Sequence, residues 1–257
     1  MKNEILKVNN KKIFYLFGGK GNNLLLLHSL NVSSVSWDKV FEPLTHHFKV
    51  FAPDMLGHGD SDKPSNDYLI EDYAQSIIVF MDHLRLEQAI LCGNSVGALV
   101  AIEIASSYPE RVKKIILVGC PARAPWERME KLFISAQTFD SNGIPRPYSL
   151  TDLEKSFAFP SKELLDWFNY QREKAGIWVK KTLIAITLYD IFSKLPLIKC
   201  PTLIIYGTRD LLKDKEADLL NQIENSQSVT IKDAGHIPQY EKPLDFLTHV
   251  NRFLNIE

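Results

Sequence analysis

The residues best placed to do chemistry include a serine between two glycines, in the stretch Gly93-Asn94-Ser95-Val96-Gly97. The pattern Gly-x-Ser-x-Gly alone is weak, but here it directly follows the apolar run Ala89–Cys92 and directly precedes the helical pattern Val96–Ser107. A serine at such a strand-to-helix turn is held in strained backbone angles, and small residues two positions away let the chains pass. We therefore interpret Ser95 as a candidate nucleophile at the carboxyl end of a strand.

A serine hydroxyl is a poor nucleophile at neutral pH and needs a base within hydrogen-bond reach. Histidine suits that task because its unperturbed pKa of about 6.5 lets it take and return a proton near neutrality. Of the seven histidines, His236 is the one that follows a strand-like segment late in the chain, Ser228–Ile231, by a short loop. We predict that His236 is the base.

A carboxylate behind the histidine would fix its tautomer and stabilise the imidazolium. Asp210 directly follows the strand-like segment Thr202–Tyr206, and Asp214 and Asp233 are the alternatives. Two neighbouring parallel strands would bring Asp210 and His236 to the sheet edge that carries Ser95. Asp210 is therefore the predicted acid.

These residues have to be positioned by the strands and helices that alternate along most of the chain. An antiparallel hairpin is predicted from Glu4–Val8 and Lys12–Phe17, and the alternation after it indicates βαβ units. The expected class is α/β, with a mostly parallel central sheet and helices on both faces. The expected later strands are Asn23–Leu27, Phe48–Ala52, Ala89–Cys92, Lys114–Val118, Thr202–Tyr206 and Ser228–Ile231, and the expected helices are Val35–Phe41 (opened by a serine cap), Asp72–Leu84, Val96–Ser107, Lys215–Ile223 and Leu244–Leu254.

Residues 121–197 interrupt this alternation. The interval holds three of the four tryptophans and shows helical periodicity in Leu164–Phe168 and Val179–Leu188. We interpret it as a helical cap, or lid, inserted into a core formed by residues 1–120 and 198–257. Its aromatic residues suggest an apolar substrate pocket, and at least one of four of them is expected to line it: Trp126, Phe133, Phe139 and Trp178.

Bulk composition excludes several classes of partner. Lys and Arg number 30 against 31 Asp and Glu, so no charged field attracts nucleic acid or an anionic membrane. No apolar run approaches the ~20 residues that cross a bilayer, and the first residues lack the pattern of a secretory signal. The three cysteines, Cys92, Cys120 and Cys200, have no metal-like spacing. We expect a cytoplasmic protein with reduced thiols, and the oligomeric state stays open.

At this point the chain resembles the α/β-hydrolase family, whose triad runs in the order Ser…Asp…His. Besides the serine turn, the resemblance rests on Asp54-Met55-Leu56-Gly57-His58-Gly59-Asp60-Ser61-Asp62, on Gly207-Thr208-Arg209-Asp210, and on Ala234-Gly235-His236-Ile237-Pro238 with Glu241 and Pro243 behind it. The resemblance implies an oxyanion hole made of the backbone N–H groups of Leu30 and Val96. The family usually has His-Gly-x where this chain has His28-Ser29-Leu30, and His28 and His58 are expected to support their loops.

The implied reaction is hydrolysis of a carboxylic ester of a small or medium apolar substrate through an acyl-enzyme on Ser95, without a cofactor or metal. Within the same chemistry, a lactonase, a thioesterase or a carbon–carbon bond hydrolase is the alternative. Serine at position 95, instead of aspartate, argues against haloalkane dehalogenases and epoxide hydrolases. A ligand receptor on the hydrolase fold is the alternative from a different class.

Overall fold

An eight-stranded sheet forms the centre of the computed structural model, which describes residues 1–256. The strand order is β1-β2-β4-β3-β5-β6-β7-β8; β1 pairs with β2 and β2 with β4 in antiparallel fashion, and the other pairs are parallel. The predicted α/β class with a mostly parallel sheet is confirmed. The strands are β1 (Lys2–Val8), β2 (Lys11–Gly18), β3 (Asn22–Leu27), β4 (Phe48–Pro53), β5 (Ala89–Asn94), β6 (Val112–Val118), β7 (Thr202–Gly207) and β8 (Ser226–Ile231).

Helices cover both faces of the sheet, as the apolar runs predict. Alternate side chains of β3 enter two different cores: Leu25 and Leu27 pack in one cluster, and Leu24 and Leu26 in the other. Because both faces are buried, these four leucines are fully inaccessible to solvent. The first cluster includes residues of α2 (Ile70–His83), α3 (Val96–Ser107) and α8 (Glu216–Gln222), and the second includes residues of α1 (Asp38–Thr45) and α10 (Pro243–Leu254).

The predicted first helix differs from the structure at its beginning. A 3₁₀ turn, Ser34–Trp37, precedes α1, and no serine hydroxyl caps either element. The Ser33 hydroxyl instead donates a hydrogen bond to Gln171 Oε1 at 2.9 Å. The predicted serine cap is therefore wrong, because a distant polar partner takes the hydroxyl group.

Between β6 and β7 the chain forms helices and turns. These helices are α4 (Pro125–Ala136), α5 (Leu150–Leu153), α6 (Lys162–Ala175) and α7 (Trp178–Leu188), and α9 (Pro238–Glu241) follows β8. They carry small apolar clusters of their own, one of which joins Phe157 and Phe168 to Ile237 beyond β8. The division of the chain into a core and a lid at residues 121–197 stays a prediction.

No helix within residues 1–256 combines the length and the apolar composition that crossing a membrane requires.

Candidate active site

Ser95 lies in the turn between β5 and α3, with a strained backbone. Its φ of 56° and ψ of −113° place a non-glycine residue in a sparsely populated region. Gly93 and Gly97 allow this turn: a Cβ on Gly93 would overlap with the Gly97 carbonyl oxygen, and one on Gly97 with that of Leu27. The small flanking residues are thus a steric requirement of the observed backbone.

Asp210 and His236 come together at the carboxyl ends of β7 and β8. His236 Nδ1 lies 3.0 Å from Asp210 Oδ2, and the other Asp210 oxygen accepts the Leu212 N–H at 3.0 Å. An ionised carboxylate only accepts hydrogen bonds, so His236 Nδ1 carries the proton and Nε2 is left as the basic nitrogen. Gly119 makes room for the pair, since a Cβ there would lie 2.8 Å from His236 Nδ1.

The Asp210 carboxylate is buried, with opposing effects on its pKa. Burial alone would raise the pKa, but the His236 ring, the Leu212 N–H and the nearby Arg123 charge outweigh it, and the pKa of Asp210 lies below its ordinary value. The alternative acids lie elsewhere: Asp214 pairs with Lys215 at 2.9 Å. The Asp233 backbone N–H donates to the Thr208 hydroxyl. The hydrogen bond to the histidine is therefore made by Asp210.

One cavity of about 160 Å³ is lined by Ser95, Asp210 and His236 together. Within residues 1–256 the Ser95 hydroxyl makes no hydrogen bond, so it is not hydrogen-bonded to His236 in this arrangement. Catalytic hydrogen bonds are commonly long or misaligned before substrate binds. Ser95, His236 and Asp210 therefore line one cavity, where they could serve as a nucleophile, a base and the carboxylate that orients the base.

Two residues that hold the histidine loop were not recognised as such from the sequence. The Asn94 amide nitrogen donates to the carbonyl oxygens of Val118 at 3.1 Å and His236 at 3.0 Å. Glu241 accepts the backbone N–H of Gly235 at 2.8 Å, next to the histidine. Asn94 adjoins the candidate nucleophile, so it ties the serine turn directly to the histidine loop.

The two backbone groups expected to form an oxyanion hole differ in their relation to the cavity. Leu30 lines the cavity, and Val96 is a fully buried residue at the first position of α3 whose side chain does not line it. In the described chain neither backbone N–H has a hydrogen-bond acceptor. A free N–H at a helix start favours an anion, because the helix dipole adds to the hydrogen bond.

The loops beside the cavity are held by His28 and Asp54. His28 Nδ1 donates to the Ser29 carbonyl, while Nε2 accepts the Met55 N–H at 2.9 Å. The two Asp54 carboxylate oxygens accept the backbone N–H groups of Ser34 and Asp60. These hydrogen bonds support the expected structural role of His28. His58 is buried beside it, with ring centroids 5.4 Å apart.

Of the four aromatic residues expected near the pocket, Phe139 lines the cavity and the other three do not. Trp126 and Phe133 lie on the outer side of α4, where they are 68% and 83% exposed. Trp178 is buried against Tyr68 and Gly57 instead. Aromatic content alone does not say which face of a helix between β6 and β7 is turned to the cavity, so the sequence could not single out Phe139 from the other three.

The cavity wall combines apolar side chains with positive charges that the sequence did not single out. The apolar part includes Leu30, Phe139, Phe168, Val179, Leu183 and Ile186. The cationic side chains are Arg123, Lys131, Lys155 and Arg172. They come from distant parts of the interval between β6 and β7, so no local motif announces them. Among residues 1–256, no group of three His, Cys, Asp or Glu side chains could hold a metal ion.

Comparison with known proteins agrees with this architecture. The family model described as alpha/beta hydrolase fold matches residues 22–141. The AB hydrolase superfamily protein YisY of Bacillus subtilis is 29% identical, over 92% of this chain and 93% of its own length. A pimeloyl-[acyl-carrier protein] methyl ester esterase of Nitrosomonas europaea is 28% identical, over 90% of this chain and 94% of its own.

Solved structures match nearly the whole chain. The enol-lactonase of Burkholderia xenovorans superposes with a TM-score of 0.81 at 24% identity and covers 98% of this chain and all of the lactonase chain. At that identity the likeness concerns the fold. It includes the segment between β6 and β7, because the coverage leaves out only a few residues.

Proposed function

The chain has the α/β-hydrolase fold, and on that premise we propose that it is a serine hydrolase that cleaves a carboxylic ester through Ser95, His236 and Asp210. The observation that carries this proposal is the 3.0 Å hydrogen bond between His236 and Asp210 beside a strained serine in the same cavity. A histidine oriented by a carboxylate is the arrangement that activates a serine.

In the proposed reaction Ser95 Oγ attacks the carbonyl carbon while His236 Nε2 takes the hydroxyl proton. The N–H groups of Leu30 and Val96 stabilise the negative oxygen that develops on the carbonyl. His236 then gives its proton to the departing alcohol, which leaves an acyl group on Ser95. A water molecule, deprotonated by the same histidine, releases the acid and regenerates the serine. Asp210 stays ionised throughout and stabilises the imidazolium.

The proposed substrate is a small or medium ester whose apolar part packs against the apolar wall of the cavity. Leu30, Phe139 and Leu183 supply surface for such a group, and the helices between β6 and β7 would serve as the lid that encloses it. The Nitrosomonas europaea relative is named for a methyl ester, and the Burkholderia xenovorans structure for an enol-lactone, which is a cyclic ester. Both names support an ester bond as the target.

We also propose a cytoplasmic location. Cys92, Cys120 and Cys200 are free thiols, and the first two are buried. Unpaired cysteines fit a reducing compartment.

The test is steady-state hydrolysis of p-nitrophenyl esters with acyl chains from acetate to decanoate. We expect activity in the parent protein and a loss of roughly 10⁴-fold or more in Ser95→Ala, because removal of a nucleophile leaves only binding and the oxyanion hole. Ser135→Ala is the matched control, since Ser135 is a buried serine that lines the same cavity. Equal activity in Ser95→Ala and the parent would refute the proposed mechanism.

A further inference from the structure

The cavity beside Ser95 carries an excess of positive charge. Arg123, Lys131, Lys155 and Arg172 line it, and Asp210 is the one carboxylate among its lining residues. Asp210 is already hydrogen-bonded to His236. The protein as a whole is nearly neutral, with 30 basic and 31 acidic residues. The excess of positive charge is therefore a local property of this cavity.

Arg172 is the most deeply buried of these cations. It is 2% exposed and donates to the Asn31 side-chain oxygen and the Arg146 carbonyl, which are both uncharged, while its guanidinium lies 3.9 Å from the Tyr148 ring centroid. Its Nε is buried without a hydrogen-bond partner in the described chain. A buried cation without a carboxylate is costly, so an anion in the cavity would relieve that cost.

Arg123 and Lys131 also lack a direct anionic partner, although the charges of Glu127, Asp210 and Asp214 lie near enough to Arg123 to favour its cationic form. Within residues 1–256 neither side chain makes a hydrogen bond or an ion pair. The acidic residues around them are paired with other cations: Glu127 and Asp214 with Lys215, and Asp152 with Lys155. The Lys131 side chain is exposed where the cavity meets the outer cleft, and partial burial together with the charges of Arg123 and Lys155 lowers its pKa, as expected where cations face one another.

The cavity of about 160 Å³ adjoins an outer cleft that shares Lys131 and Lys155 with it. An engineered cavity of ~150 Å³ holds one benzene molecule, so the inner space suits a compact group. A carboxylate is compact and forms charge-assisted hydrogen bonds with arginine and lysine.

We propose that the cavity recognises an ester that carries a second, anionic group, a carboxylate, held by Arg123, Lys131 and Arg172. This inference rests on the proposed ester hydrolysis for the reaction, but the recognition of the anion is a separate property of the site. It refines the expectation of an apolar ester: the apolar wall receives the hydrocarbon part, and the cations receive the charge.

The first experiment measures binding to Ser95→Ala, which leaves the esters uncleaved. Isothermal titration calorimetry compares monoethyl adipate with ethyl hexanoate, a pair that differs by a carboxylate on the acyl side. A second pair, 4-(acetoxymethyl)benzoate and benzyl acetate, places the charge on the alcohol side. We expect at least tenfold tighter binding of one charged ester than of its neutral partner, and the pair that shows it identifies the side. Equal affinities within both pairs would overturn the inference.

The second experiment assigns the preference to the cations. In the Ser95→Ala background, Lys131→Gln and Arg123→Gln should each reduce the charged-to-neutral affinity ratio by at least fivefold. Lys162→Gln is the control, because Lys162 is an exposed lysine of α6 that does not line the cavity. The ratio should also fall as NaCl rises from 0.05 to 0.5 M, since salt screens accessible charges. A ratio that both substitutions leave intact would overturn the assignment to these residues.

The two proposals fail in different ways. Hydrolysis of the same esters by the parent protein, compared with Ser95→Ala, tests the serine mechanism. If the charged ester binds tightly but is not cleaved, the proposed function fails and anion recognition stands. If neutral and charged esters are cleaved with equal kcat/KM and bind equally, the mechanism stands and anion recognition fails.

Discussion

Asp210 contributes to the site through orientation as much as through charge. Its Oδ2 fixes the proton of His236 on Nδ1, and its Oδ1 is occupied by the Leu212 N–H, so the carboxylate cannot turn away without losing that second hydrogen bond. The basic Nε2 of His236 is thereby directed to the cavity that Ser95 lines. The charge and the geometry of this carboxylate are separable by an isosteric substitution.

Asp210→Asn should lower kcat by about 10²–10⁴-fold and leave the fold intact. An asparagine amide that donates to Nδ1 stabilises the tautomer with a proton on Nε2, which cannot accept the serine proton. Rates on a p-nitrophenyl ester, together with the circular dichroism spectrum, measure both effects. Asp214→Asn is the control, because Asp214 is exposed and pairs with Lys215. A parental kcat in Asp210→Asn would contradict the role assigned to Asp210.

At the scale of elements, a buried polar cluster joins α3 to the segment that follows α7. Glu103 accepts hydrogen bonds from Tyr189 at 3.0 Å and from Lys194 at 2.9–3.0 Å, and also from Ser107 on its own helix. The side chain of Glu103 is 6% exposed and that of Lys194 is 25% exposed. Because α3 begins directly after the candidate nucleophile, this cluster connects the end of the interval between β6 and β7 to the helix behind Ser95.

Glu103→Gln should lower the free energy of unfolding by about 1–3 kcal/mol. The substitution removes one partner of a largely buried charge pair and weakens its charge-assisted hydrogen bonds, while the exposed part of Lys194 keeps some hydration. Urea unfolding of Glu103→Gln, Lys194→Met and the double variant gives the coupling energy, expected at about 1–2 kcal/mol. Glu224→Gln, in an exposed pair with Lys199 at 3.8 Å, should change stability by less than ~0.5 kcal/mol. Additive effects of the two cluster substitutions would show that Glu103 and Lys194 act independently.

The elements themselves were largely predictable, for identifiable reasons. Helix α3 spans Val96–Ser107 as expected, because a strand, a glycine-flanked serine and a proline just after the helix mark its limits. Helix α4 was missed: it begins at Pro125, and its apolar residues Trp126, Met129 and Phe133 stand at helical spacing but remain exposed, so they bury no face against the core. Local patterns indicate the elements that bury an apolar face against the sheet, and α4 does not.

At the scale of the whole molecule, some residues of the candidate site could be predicted from the sequence and others could not. Asp210 and His236 each follow a strand, so the topology of the sheet alone places them at one edge. Arg123, Lys131 and Arg172 have no such constraint, since they lie on separate parts of the interval between β6 and β7. Their convergence on one cavity depends on how the helices pack, which no local pattern records.

Two buried histidines link the stability of the whole molecule to pH. His28 and His58 are inaccessible to solvent, and among residues 1–256 neither ring nitrogen of His58 has a hydrogen-bond partner. Burial lowers the pKa of His58 to about 3, and the charges of His28 and Lys63 act in the same direction. Burial also lowers the pKa of His28, although Asp54 opposes the shift.

The sign of the pH effect follows from which state binds protons. In the unfolded chain both histidines protonate below pH ~6.5, whereas His58 in the folded protein stays neutral down to pH about 3. The unfolded state therefore binds more protons as the pH falls through this window, and stability decreases by up to ~1.4 kcal/mol per pH unit for His58, with His28 acting in the same direction. In urea unfolding between pH 6 and pH 4, His58→Gln should remove roughly that slope for one group. His47→Gln, at an exposed position, should leave the slope unchanged. A parental slope in His58→Gln would mean that the acid sensitivity arises from other groups.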